Sequence, residues 1–213
     1  MSSEPDDPIQ HYFSEEPDVP SARQRIEVTL PDGSFPIETD TGVFSHGRVD
    51  SGTKFLLVEA PELPATGHLL DLGCGTGAIA LALAAKSPQS RVFGIDVNPR
   101  AVELCALNAQ RNGFTNVHAC LDSAVPQDVT FDVLWSNPPI RIGKSELHQM
   151  LARWLTRLAP GATAWLVVNR NLGADSLSVW LTERGCDVER VTSKRGFRVL
   201  GVTPTPAADL WRP

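Results

Sequence analysis

Residues 68–98, HLLDLGCGTGAIALALAAKSPQSRVFGIDVN, constrain the fold more than any other part of the chain. Leu69-Leu70-Asp71-Leu72 is a short apolar run of the kind that forms a fully buried strand. Gly73-Cys74-Gly75-Thr76-Gly77 follows, residues 78–86 are rich in helix formers, and a second apolar run over 92–95 closes on Asp96. Strand, glycine loop, helix and strand follow one another, with an acid about twenty residues past the glycines, the layout of a nucleotide-type binding site. Glycine lets the chain turn tightly and lets backbone N–H groups approach a ligand. An acid at the end of the second strand can accept both hydroxyls of a ribose.

Two ligand classes satisfy this layout. Gly73-x-Gly75-x-x-Ala78 fits the dinucleotide fingerprint, whose third position accepts alanine. Gly73-x-Gly75-x-Gly77 preceded by Asp71 instead resembles motif I of the class I S-adenosylmethionine (SAM) methyltransferases. Charge favours the second ligand: a carboxylate at the mouth of the strand would repel a pyrophosphate but suits a molecule carrying a sulfonium and an ammonium.

Composition narrows the setting. A chain of 213 residues holds one well-packed domain with additions, or at most two small ones. No apolar run approaches a membrane span, and the N-terminal MSSEPDDPIQ is acidic, unlike a signal peptide. Cys74, Cys105, Cys120 and Cys186 are scattered without a CxxC pair, the pattern of buried thiols in a reducing, cytoplasmic setting and not of zinc ligands or a disulfide frame. The formal net charge of −6 argues against a broadly basic nucleic-acid binder and leaves room for a local basic surface.

Along the chain, Pro5, Pro8, Pro17 and Pro20 among acidic residues predict an irregular tail over 1–22, with His11-Tyr12-Phe13 anchoring it. Residues 25–30 and 34–38 alternate at period two around the turn Pro31-Asp32-Gly33, a hairpin. A helix is predicted over 54–59, capped by Asp50 or Ser51 and stopped by Pro61 and Pro64. Asn98 caps a helix that begins with Pro99 and ends at Asn112-Gly113. Strands are expected over 117–120, 131–135 and 164–168, and helices over 146–158 and 172–184. Residues 186–191 and 197–202 read as a closing antiparallel pair, and the proline-containing 204–213 as a tail. Alternating strands and helices predict an α/β fold with a parallel sheet covered on both faces.

The second chemical signal is Ser136-Asn137-Pro138-Pro139, which follows a buried strand and so falls at the carboxyl edge where open α/β sheets bind ligands. Each proline biases the residue before it toward extended geometry. A rigid asparagine presents its side-chain carbonyl and Pro138 its backbone carbonyl, and two convergent acceptors suit an –NH₂ group. Such bonds draw a planar exocyclic amine toward tetrahedral geometry, which makes its nitrogen nucleophilic without a strong base.

This combination resembles the amino-methyltransferase branch of the class I fold, with its [Asn/Asp]-Pro-Pro-aromatic motif IV. His11-Tyr12-Phe13-Ser14, Thr41-Gly42-Val43-Phe44-Ser45, and Asp50-Ser51-Gly52-Thr53 with Leu56-Leu57 extend the likeness. Together they resemble the catalytic domain of bacterial small-subunit ribosomal RNA guanine-N2-methyltransferases of the RsmC type, over about residues 11–203. The resemblance implies a Rossmann-like class I fold with a seven-stranded, mostly parallel sheet, an antiparallel last strand and an N-terminal β-hairpin addition. It implies one methyltransferase domain over 23–203, with the hairpin and helix in 23–60 and the SAM-binding core in 61–203.

The implied cofactor set is Val43, Phe44, Gly52, Thr53, Asp71, Gly73, Gly75, Gly77, Asp96, Val97, Asp122 and Asn137. Within it, Asp71, Gly73 and Gly75 face the methionine side, Asp96 the ribose and Asp122 the adenine edge, while Val43-Phe44 and Gly52-Thr53 flank the cofactor. Asn137 and Pro138 would hold the amine, and Pro139, Ile140, Arg141, Lys144 and Arg195 would meet the substrate. The expected partner is ribosomal RNA or the small ribosomal subunit, with no membrane and a monomer or weak dimer. Adenine in nucleic acid, a protein glutamine or a small metabolite would present the same –NH₂ to this motif. A non-catalytic binding domain of the same fold would have no need of the intact Asn137-Pro138-Pro139.

Two features depart from the family. Ile140 stands where an aromatic normally stacks on the target base, which leaves Phe44, Phe13 or Phe197 to supply a ring. The larger enzymes of the family also carry a second, substrate-recognising domain, and none is read here. Basic residues gather at Arg141 and Lys144, at Arg153 and Arg157, and over Lys194-Arg195-Gly196-Phe197-Arg198. His46, His68, His118 and His148 lack ligand spacing, so no metal is assigned.

Overall fold

Apolar strands that must be buried on both faces need a helix on each side, and the chain supplies them in alternation. The computed structural model describes residues 19–30 and 33–211. His11-Tyr12-Phe13-Ser14 and the turn residues Pro31-Asp32 lie outside the described residues. Strands β1 (Gln24–Leu30) and β2 (Gly33–Thr39) pair antiparallel as the expected hairpin. The remaining strands are β3 (His68–Leu72), β4 (Arg91–Asp96), β5 (Val117–Leu121), β6 (Phe131–Ser136), β7 (Leu158–Asn169), β8 (Cys186–Lys194) and β9 (Phe197–Pro204). They form one seven-stranded sheet in the order β5-β4-β3-β6-β7-β9-β8. The five strands β3 to β7 run parallel, and β9 joins antiparallel between β7 and β8.

Among the described residues five α-helices cover the sheet: α1 (Ser51–Glu59), α2 (Ala78–Lys86), α3 (Pro99–Arg111), α4 (Lys144–Leu155) and α5 (Ala174–Glu183). Alternation along each strand divides the core. Leu69, Val133, Trp135 and Val167 pack with α1, α2 and the hairpin, and Leu70, Phe93, Leu134 and Val168 pack with α4 and α5. Helix α2 is buried along residues 78–84 because the hairpin, α1 and α3 close over it, and a helix apolar all round belongs in such a place. Asn108 of α3 fastens the hairpin. Its amide donates to the carbonyls of Glu38 and Thr76, both near 2.9 Å, and its oxygen accepts the Glu38 N–H at 2.7 Å.

Among the differences from expectation, three have a clear physical reason. Helix α1 starts at Ser51, because the Asp50 carboxylate accepts the N–H groups of Gly52 and Thr53 and so nucleates the first turn. Helix α4 ends at Leu155, and Leu158 already pairs with Phe131 in the sheet. Pro160 and Gly161 fall in the irregularity between the Leu158–Phe131 and Thr163–Val133 pairs, where a missing donor costs no ladder bond. The segment after β9 is not a free tail: Thr205 N–H bonds the Gly185 carbonyl, Asp209 N–H bonds that of Arg184, and Leu210 is buried. Among the described residues no helix is long and apolar enough to cross a membrane.

Candidate functional site

The chain reverses direction across the sheet at β3, which lies between β4 and β6. A crevice opens at the carboxyl ends of these strands, the position where open α/β sheets bind ligands. A cavity of about 1070 Å³ occupies it. Its floor is Leu72, Gly73, Gly75 and Ile95, and its sides are the loop carrying Phe44 to Arg48 and the segment 137–142.

The glycine loop is tied to the neighbouring strand. The N–H groups of Gly73 and Cys74 both donate to the Ile95 carbonyl at 2.9 Å. Asp96 closes the arrangement: Oδ2 accepts the Gly75 N–H and Oδ1 the Asn98 N–H, each at 3.0 Å. The carboxylate keeps acceptor capacity for a ligand hydroxyl. Burial raises the Asp96 carboxyl above its ordinary range, while its bonds from the Asn98, Gly75 and Val97 N–H groups hold it down. Asn98 caps α3 and donates to the Gly42 carbonyl at 2.8 Å, which sets the Val43-Phe44 loop against the glycine loop.

Asp71 does not reach the cavity wall. It is 1% exposed, and its Oδ2 accepts the Ala80 N–H at 2.9 Å. Gly77, at the N-cap of α2, has no side chain to bond the first helical turn, so Asp71 serves that turn from β3. The other oxygen, Oδ1, is buried without a partner in the protein. Desolvation pushes this carboxyl up to about 8.

Asn137 is held on the wall by two side-chain hydrogen bonds. Its Nδ2 donates to Asp50 Oδ2 at 2.9 Å and to Thr53 Oγ1 at 3.1 Å. Both amide hydrogens are therefore spent, and Oδ1 is the end left to accept from a ligand. Ser136 Oγ donates to the Leu72 carbonyl at 2.7 Å and locks the end of β6 to that of β3. The Pro138 carbonyl already accepts the Ile140 N–H at 2.8 Å, which leaves it one lone pair instead of two.

Of the expected residues, Phe44, Gly73, Gly75, Asp96, Val97, Asp122, Asn137, Pro138, Pro139, Ile140 and Arg141 line the one cavity. Val43, Gly52, Thr53, Asp71 and Gly77 stand behind that wall, and Lys144 and Arg195 are not part of it. Asp122 is paired with Arg153, Oδ2 to Nη1 at 2.7 Å, so any ligand amine there competes with a guanidinium. Arg157 is absorbed structurally by the carbonyls of Pro126 and Val129, and Lys194 and Arg198 pair with Glu59 and Asp175.

Among the wall residues that sequence reasoning missed are Arg48, Trp154, Trp211 and Asp50 in its cavity role. Asp50 gave a signal as a helix cap and within the Asp50-Ser51-Gly52-Thr53 likeness, not as a wall residue, and Trp211 gave none.

The donor set fits SAM. Asp96 offers carboxylate lone pairs at a ribose position, and the floor at Gly73 has nothing within 4 Å of where a Cβ would stand. Among the described residues no group of three or more His, Cys, Asp or Glu could hold a metal ion.

The model of a family described as methyltransferase small domain matches residues 34–201. YbxB of Bacillus subtilis (strain 168), which carries the description uncharacterized protein, is 37% identical over 194 residues, 90% of this chain and 96% of its own length. Ribosomal RNA small subunit methyltransferase C of Pseudomonas aeruginosa (strain LESB58) is 38% identical over 158 residues, 72% of this chain and 47% of that protein. The chain thus spans about half the length of the ribosomal RNA methyltransferases it matches. A T. thermophilus 16S rRNA N2 methyltransferase (RsmC), solved in complex with AdoMet and guanosine, has the same fold. Its TM-score is 0.71 at 24% identity, over 88% of this chain and 52% of that one.

Proposed function

The chain belongs to the methyltransferase small-domain family, and from that premise we propose that it methylates the exocyclic N2 amine of guanine in ribosomal RNA. SAM supplies an electrophilic methyl group when bound. Gly73, Gly75 and Asp96, at the carboxyl ends of β3 and β4, would hold it, with Phe44 on the same wall.

The observation that carries the reading is the orientation of Asn137. With Nδ2 committed to Asp50 and Thr53, Oδ1 accepts one hydrogen of the target amine, and the remaining lone pair of Pro138 accepts the other. Two acceptors at fixed positions stabilise the tetrahedral amine of the transition state more than the planar amine of the ground state, which is where rate is gained. The methylated amine is acidic enough to release its proton to water. No general base is then needed, and His46 on the cavity wall bonds the Ala22 carbonyl at 2.8 Å.

A base inside structured RNA must be flipped out to reach such a pocket. Phe44 and Phe197, both on the cavity wall, supply the aromatic faces that Ile140 does not. Arg48 and Arg141 stand on the same wall without a salt bridge among the described residues, and a few such charges suffice for phosphates despite the net charge of −6. The named activity of relatives that match 72% of this chain supports the RNA substrate.

Incubating the protein with tritiated-methyl SAM and, in separate reactions, undermodified ribosomal RNA, 30S particles, total protein and small-molecule extract tests this. Label is expected in RNA, as N2-methylguanine after nuclease digestion. Label confined to protein or small molecules would reject the RNA substrate.

A further inference from the structure

We propose that Asp50 is a positioning residue for the methyl transfer, acting through Asn137; this rests on the reading of Asn137 as the amine clamp. Asp50 Oδ2 accepts three donors at once: Gly52 N–H at 2.7 Å, Thr53 N–H at 3.2 Å and Asn137 Nδ2 at 2.9 Å. One oxygen therefore caps α1 and also fixes an amide 87 residues further along the chain. A terminal amide is two-fold ambiguous about its last torsion, and without a fixed acceptor on its nitrogen the carbonyl would face the cavity only part of the time. Asp50 removes that ambiguity, and Thr53 Oγ1 supplies the second anchor.

The bond also works electronically. A carboxylate that accepts an amide N–H shifts the amide toward its charge-separated form, so its carbonyl oxygen becomes a stronger acceptor. In a partly buried site that gain is directed at an amine acquiring positive charge as the carbon–nitrogen bond forms and the sulfur–carbon bond breaks. The surroundings are shaped to keep Asp50 there. A Cβ on Gly52 would stand 2.9 Å from Asp50 Oδ2 and 3.0 Å from the Phe197 ring, so the smallest residue lets carboxylate and ring pack side by side.

The test separates capping from positioning. Serine is a good N-cap but too short to reach Asn137, so Asp50→Ser keeps α1 and loses the anchor. Asp50→Asn keeps an acceptor of the right length without the charge. Asp50→Ser should lower kcat about tenfold to a hundredfold while S-adenosylhomocysteine affinity and thermal midpoint stay near wild type. Asp50→Asn should recover most of the loss. In an Asn137→Ala background Asp50→Ser should cost almost nothing more, since the two act as a unit.

In ¹⁵N-labelled protein the Asn137 side-chain amide, identified by its loss in Asn137→Ala, should be protected from exchange in wild type and revert to a free-amide position in Asp50→Ser. An unchanged amide signal, a wild-type kcat for Asp50→Ser, or full additivity with Asn137→Ala would each overturn the proposal. If wild type labels no RNA, the guanine reading fails, and the amide signal still decides whether Asp50 fixes Asn137.

Discussion

Asp96 Oδ2 accepts the Gly75 N–H at 3.0 Å, so the acid at the end of β4 and the glycine loop at the end of β3 are one rigid unit. A ligand that bonds Asp96 thereby meets a loop already in place, which lowers the ordering cost of binding. Asp96→Ala should weaken S-adenosylhomocysteine binding on the order of tenfold to a hundredfold, the worth of a lost charge-assisted hydrogen bond. Calorimetry reads this directly, and unchanged affinity would reduce Asp96 to a loop fastener.

Asn137→Ala should show the opposite split. It removes one of the two acceptors of the amine and leaves the cofactor wall intact, so turnover should fall about a hundredfold or more while cofactor affinity moves little. The pH–rate profile of the wild type should lack a limb assignable to a histidine, since the alkylated amine releases its proton to water and needs no general base. Wild-type turnover in the variant would remove the clamp from the mechanism.

Asp71 makes stability depend on pH in an unusual direction for a carboxylate. Burial raises its carboxyl from 3.8 to about 8 in the folded protein. Between those values the folded state binds more protons than the unfolded one, so stability falls as pH rises from about 4 and levels off above about 8. A tenfold change in proton affinity corresponds to about 1.4 kcal/mol, so a rise from 3.8 to about 8 sets an upper bound of about 6 kcal/mol. Asp71→Asn keeps an acceptor for the Ala80 N–H and cannot ionise. Urea unfolding should show the variant gaining on wild type between pH 5 and pH 8, and parallel pH dependences would sink the assignment.

Gly77→Ala should destabilise the protein by about 2–4 kcal/mol, combining left-handed strain with overpacking. The backbone there has φ +84°, and an added Cβ would lie 2.8 Å from Cys105 Sγ. Cys105→Ala in the same chain should return only part of the loss, because it relieves the contact but not the strain. Chemical denaturation of the single and double variants measures both.

Much of the fold was legible because its signals are local. A buried strand announces itself in Leu69-Leu70-Asp71-Leu72, and the helix that follows begins and ends where its composition changes, at Ala78–Lys86. The Asn98 cap and Pro99 start of α3 were equally clear, since capping and fixed φ act within a few residues. The α4 to β7 boundary was not. Leu158 continues the apolar stripe of α4, and only pairing with Phe131 draws it into the sheet.

For the site, spacing along the chain was enough to assign the glycine loop, Asp96 and Asn137-Pro138-Pro139 to one crevice, because strand order places every such loop at the same edge. What only the tertiary structure decided is which way the polar groups face. Asp71 turned inward to serve α2, Asp122 was taken by Arg153, and Asn137 was given its orientation by a carboxylate 87 residues away. Capping, turn chemistry and hydrophobic periodicity are written within a few neighbours. The direction of a side-chain dipole is set by whatever distant atom the packed sheet brings within about 3 Å, and that partner has no fixed place in the sequence.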